Sequence, residues 1–174
     1  MRRDARGTGD GRALRFGLGL GIGRIKMEQA NELLTSLWRE WWSGDIWIAP
    51  WKGALAGLTP EQADSVPPGA KHSIWQLVNH VMYWRNVTFA RVAGETPSGL
   101  DPVHDEQFPR PEVVDADSWS ATVAALEKSH RHVEALLDRP DIPLDRIKYH
   151  LAHDAYHLGQ IMQLRALQGL PPVL

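Results

Sequence analysis

His150-Leu-Ala-His153-Asp154-Ala-Tyr156-His157-Leu-Gly159-Gln160 holds three of the eight histidines in the chain. Successive residues of an α-helix turn by about 100°, so His153 and His157 fall on one face, one turn apart. Two imidazoles at this spacing can chelate one metal ion without distorting the helix. His150 lies near the same stripe. The plainer alternative is that these are packed or solvated core histidines. Histidine is only a middling helix former, so helix propensity does not account for three of them together.

His153-Asp154-Ala155-Tyr156-His157 resembles the H-E-x-x-H pattern with Asp in place of Glu. A zincin reading fails on two counts. No His, Asp or Glu follows His157 to supply a downstream third ligand. Asp is also one methylene shorter than the Glu that serves there as general base. A third ligand must therefore come from upstream, from another helix, which is how helical bundles build metal sites.

Composition narrows the chemistry. The chain has no cysteine, which removes disulfides, zinc-thiolate sites and a cysteine nucleophile. Any metal must be held by nitrogen and oxygen. A cytoplasmic location is the expectation consistent with this. The 174 residues, 43% of them hydrophobic, suit one domain with a real core. No run approaches the roughly 18 apolar residues of a membrane span. The net charge is −2, but residues 1–26 carry +5 and residues 27–174 carry −7. A folded part of net −7 lacks the basic surface that nucleic acid requires.

Residues 1–26 read as a basic, Gly/Arg-rich, disordered tail, and residues 27–174 as a single domain. Seven of the fifteen glycines fall in this tail, and Phe16–Gly23 alternates apolar residues with glycine, too glycine-rich for a helix. From Met27 the pattern becomes helical. Leu33, Leu34, Leu37, Trp38, Trp41 and Trp42 recur at three- and four-residue spacing, and Ser43-Gly44 stops the run. Five tryptophans lie between 38 and 51, as core or as pocket walls. Lys52–Leu58 reads as a short helix, and Thr59-Pro60 as the start of another.

Ser73-Ile-Trp-Gln76 is a capping box that opens a second long helix, ending at Gly94. His80 sits on its inward stripe with Leu77, Trp84 and Val87. Residues 94–117, with Pro97, Pro102, Pro109 and Pro111, form a connection too long for a helix hairpin, so it crosses over the bundle. His104, Asp105 and Glu106 lie on it. Asp117 or Ser118 is expected to cap a third long helix whose inward stripe includes His130, a rival to His80, while His132 points elsewhere. Asp145 is expected to cap the fourth, which carries the opening motif and stops at Gly169. The expected fold is all-α: a four-helix bundle with a long crossover connection.

His80 in Ile74-Trp-Gln-Leu-Val-Asn-His80-Val-Met-Tyr-Trp84-Arg, taken with His153-Asp-Ala-Tyr-His157-Leu-Gly-Gln160, resembles the DinB-like (DinB/YfiT-type) family over roughly residues 30–170. The resemblance implies a bundle that binds one divalent metal, zinc or nickel and sometimes manganese or iron, through His80, His153 and His157. It also implies a homodimer. Characterised members of that family include S-transferases that use bacillithiol, glutathione or mycothiol, and a thiol-dependent isomerase. The expected function is therefore a metal-dependent thiol S-transferase or hydrolase acting on a small molecule, with an external low-molecular-weight thiol as possible co-substrate. The alternative is a non-catalytic metal- or ligand-binding stress protein. His150, Asp154, Tyr156 and Gln160 are the candidates for supporting roles beside the metal. Three neutral imidazoles leave metal positions open, as catalytic sites do.

Overall fold

A computed structural model describes residues 13–44, 47–95, 107–139, 141, 142, 145 and 147–173, with side chains from residue 28 onward. Among these residues the structure is all-helical. There are four long helices, α1 (Ala13–Ser43), α4 (Ile74–Val92), α5 (Ala116–Leu137) and α6 (Lys148–Leu167), and two short ones, α2 (Trp51–Leu55) and α3 (Pro60–Asp64). None of the described helices is long and apolar enough to cross a membrane.

The helix starts follow local chemistry. Thr59 and Ser73 both form complete capping boxes, with Gln62 and Gln76 reaching back to the cap amide. Two expected caps are corrected. Asp115, rather than Asp117 or Ser118, caps α5, and its carboxylate accepts the Ser118 amide at 2.7 Å. Asp145 does not cap α6. That helix starts after Ile147 without a side-chain cap. Residues 1–12 of the expected tail lie outside the described residues; α1 begins at Ala13 and runs through Gly17, Gly19, Gly21 and Gly23, a stretch expected to be too glycine-rich for a helix. Gly94 and Gly169 stop α4 and α6 at φ of 81° and 71°. The amides of Glu95 and Leu170 close back on Ala90 and Arg165, the Schellman closure that a left-handed glycine allows.

Helix α5 packs on α1 and α4, and α6 packs on α4, while α2 bridges α1 and α6. Trp51, Trp75, Leu126, Leu158 and Ile161 form the larger buried cluster. Trp38, Val133, Leu137 and Ile147 form a second. Of the five tryptophans between 38 and 51, Trp38 and Trp51 are fully buried, Trp41 and Trp42 pack at the core edge, and Trp47 stands in solvent. None of the five lines the cavity at the histidines. That wall comes from Trp84 of α4.

The core also holds a buried ion pair. Arg85 of α4 and Asp154 of α6 are both fully buried and joined through Nη2 and Oδ2. Trp51 Nε1 donates to the same Asp154 oxygen at 3.0 Å, and Arg85 Nη1 donates to Ser129 Oγ at 2.8 Å. The guanidinium also lies over the Trp38 ring, 5.1 Å from its centroid. These contacts tie α1, α2, α4, α5 and α6 to one charge pair.

Candidate metal centre

Two adjacent helices position three imidazoles at one end of a cavity. His80 comes from α4, and His153 and His157 come from successive turns of α6. His153 Nε2 lies 3.3 Å from His80 Nε2 and 3.2 Å from His157 Nε2. These three residues offer ligand atoms that lie within 4.8 Å of one another. His80 and His157 are buried and His153 is half-buried.

The outer nitrogens explain why the Nε2 atoms converge. His80 Nδ1 lies 3.0 Å from the backbone carbonyl of Gln107. His157 Nδ1 lies 2.7 Å from Gln160 Oε1. A carbonyl oxygen only accepts, so both rings carry their proton on Nδ1 and leave an Nε2 lone pair facing inward. The Gln160 amide nitrogen donates to the Tyr156 hydroxyl at 3.2 Å, which fixes the amide so that its oxygen meets His157. Burial first, then repulsion from neighbouring imidazoles, lowers His153 and His157 to about 4. Both rings are therefore neutral and able to ligate at neutral pH.

The donor set fits a small divalent ion. An ion about 2.05 Å from each of two nitrogens, at the tetrahedral angle, holds them about 3.3 Å apart. The observed 3.2 and 3.3 Å match that span. A proton on His153 Nε2 can be shared with the two flanking lone pairs, and a bound cation would take the place of that proton.

A family model described as DinB superfamily matches residues 51–161, well over half the chain. The chain belongs to the DinB superfamily. No curated protein and no solved structure matches it. The three histidines that could hold a metal ion in this DinB-superfamily chain all fall within the matched segment.

The other sequence candidates lie elsewhere or act indirectly. His130 is not a rival ligand. It stacks on Trp38 at 4.6 Å in the second core cluster, and burial and then Arg85 lower it to about 3. His132 stacks on Phe89 at 3.9 Å, away from the cluster. His150 bonds Thr88 Oγ1 of α4 at 2.8 Å, and burial lowers it to about 4. Asp154 orients no ligand histidine, because its described partners are Arg85 and Trp51. Tyr156 is largely exposed and holds Gln160 rather than a histidine. His104, Asp105 and Glu106 lie outside the described residues.

Sequence reasoning missed Phe108, His72 and Gln107. Phe108 is sandwiched almost parallel between His72 and His80, at 3.8 and 3.9 Å. Together with Lys71, Leu77 and Trp84 these residues surround the imidazoles in a cavity of about 650 Å³, the size of a small-molecule site. The only advance signal was the position of Phe108 in a proline-rich connection expected to cross over the bundle. Another cavity, about 710 Å³ and lined by Trp47, Ile48 and Met162, contains none of the three histidines.

Proposed function

We propose that this protein is a divalent-metal-dependent enzyme of the thiol S-transferase or hydrolase type, acting on a small molecule, with His80, His153 and His157 as the metal ligands. The observation that carries this reading is the convergence of three Nε2 atoms at the base of an open cavity, two of them backed by acceptors that fix the tautomer. Zinc or nickel best suits an all-imidazole set, and manganese or iron can also occupy it. The chemistry a bound ion would supply is Lewis acidity, which lowers the pKa of a water or a small-molecule thiol toward neutrality.

The chain's own residues have definite tasks in this reading. The Gln107 carbonyl and the Gln160 amide hold the His80 and His157 rings in one tautomer and orientation. Phe108 and Trp84 form an apolar wall that excludes water and receives the body of a substrate. With no cysteine in the chain, a thiol must come from outside. The homodimer and the cytoplasmic location belong to the same proposal.

The test is a screen of zinc- and nickel-loaded protein for transfer of bacillithiol, glutathione and mycothiol to electrophiles, and for hydrolysis of small esters and amides, beside His157→Ala. Turnover that disappears in the variant supports the reading. Silence throughout, with a loaded metal that admits no exchangeable ligand, favours the non-catalytic binding protein instead.

A further inference from the structure

The segment leading into α5 is fastened to α4 by three consecutive carbonyls. The Gln107 carbonyl accepts from His80 Nδ1 at 3.0 Å, that of Phe108 from Gln76 Nε2 at 3.0 Å, and that of Pro109 from Asn79 Nδ2 at 2.9 Å. The three donors all belong to α4, and one of them is a candidate ligand. Gln107 is 8% exposed, so its carbonyl is withdrawn from water and depends on these contacts for its position. The Phe108 ring lies flat on His80 at 3.9 Å, within 2° of parallel, and its other face carries His72. One short segment therefore fixes the tautomer of His80, covers one face of its ring and forms a wall of the cavity.

We infer that residues 107–109 are a clasp that couples metal binding to closure of the cavity wall, with Asn79 and Gln76 as positioning residues that act through the clasp. The inference rests on the metal reading above. Its physical basis is linkage. When the clasp is seated, the Gln107 carbonyl holds His80 with Nε2 free to ligate. When it lifts, His80 loses both its acceptor and its stacking partner and can rotate or change tautomer. A metal that binds only the seated arrangement stabilises that arrangement, and the clasp in turn tightens the metal by the same factor. Asn79 gives the clean handle. Its amide reaches Pro109 from a half-buried position, whereas Gln76 also serves in the capping box of α4. No described hydrogen bond joins either side chain to the three histidine rings.

The experiment titrates zinc into the full chain by competition with a chromophoric chelator. It also follows amide hydrogen exchange of residues 107–112, with and without zinc, in wild type, Asn79→Ala and Asn79→Asp. Asn79→Asp keeps the shape but sets a carboxylate against the Pro109 carbonyl. The expected results are slower exchange of 107–112 on zinc binding to wild type, and zinc affinity lower by about two- to tenfold in Asn79→Ala, the worth of one hydrogen bond. Asn79→Asp should lose more, and the metal-free melting temperature of Asn79→Ala should stay close to wild type. A plain structural contact would shift the melting temperature and leave zinc affinity alone. Zinc binding with unchanged exchange of 107–112, or with equal affinity in all three proteins, overturns the clasp and leaves the metal site standing. No zinc binding by wild type overturns the metal reading, and the clasp with it.

Discussion

Helix α6 carries two polar regions that face different ways and meet different partners. On one side Asp154 meets Arg85 in the core, where both charges are fully buried and held by Trp51 and Ser129. On the other side His153 and His157 face His80 at the cavity, where His153 Nε2 lies within hydrogen-bonding distance of both neighbouring Nε2 atoms. Asp154 directly follows His153 in sequence, and the turn of about 100° per residue is enough to separate them. The buried ion pair meets protein groups through Arg85 Nη1 and Nη2 and Asp154 Oδ2, while Arg85 Nε and Asp154 Oδ1 have no hydrogen-bond partner among the described residues, and it reads as architecture. The imidazole cluster brings three metal-ligating side chains together beside a cavity and reads as a candidate site. Burial and charge alone do not mark a functional site. Convergence of three ligating nitrogens beside a cavity does.

The sharpest way to break this contrast is to remove one member from each region. Arg85→Met leaves the Asp154 carboxylate buried without its cation, and unfolding free energy should fall by about 3–5 kcal/mol. His157→Ala should cost the metal-free chain far less and should abolish the rise in melting temperature that metal gives wild type. Urea or guanidinium unfolding of both variants, with and without zinc, checks this. If Arg85→Met is mild and His157→Ala is severe in the absence of metal, the two regions have been assigned the wrong way round.

A smaller effect comes from the histidines on the architectural side. His130 and His150 titrate at about 3 and about 4 in the folded chain, below the ordinary 6.5, chiefly through burial. Between those values and about 6.5 the unfolded chain holds more protons than the folded one. Their contribution to stability is therefore complete above about pH 6.5 and is lost as pH falls toward 4, by a few kcal/mol in all. Denaturant midpoints at about pH 7 and about pH 5 should show the loss, to which the lowered His153 and His157 add, and His130→Phe should reduce it. A midpoint that does not change with pH in wild type would show that these rings are protonated in place.

The smallest expected effect sharpens the comparison on the metal side. Gln160→Ala removes the acceptor behind His157 and should weaken metal binding by about 10- to 100-fold, the usual cost of a lost partner to a ligating histidine. Its metal-free stability should move by under about 1 kcal/mol, since Gln160 is only half-buried. Chelator competition measures the affinity. Equal affinity in wild type and variant would detach Gln160 from the site.

Much of this was legible in the sequence, for physical reasons that differ by residue. The pairing of His153 with His157 follows from helix geometry, whereas the inward stripes left His80 and His130 as rivals and the family resemblance favoured His80. Ser73, Thr59 and Gly169 marked helix ends because capping chemistry is local. Asp154 was misread because Arg85, its partner, lies on another helix, and sequence spacing alone does not show which charges meet across a core. Asp115 displaced Asp117 and Ser118 as the cap because neighbouring polar residues compete for the same amides. Phe108 and His72 were invisible, since a stack between two loops and a helix leaves no period in the sequence. Glycine spacing in residues 13–26 argued against a helix by propensity alone, and α1 forms there all the same.

Metal stoichiometry decides the central claim most directly. Untagged wild type, metal-stripped and then titrated with zinc and nickel, should bind close to one ion per chain. His80→Ala, His153→Ala and His157→Ala should each remain folded and lose that binding. Stoichiometric binding that survives in all three variants, or no binding by wild type, would contradict the account and leave the histidines as packing residues of a helical protein.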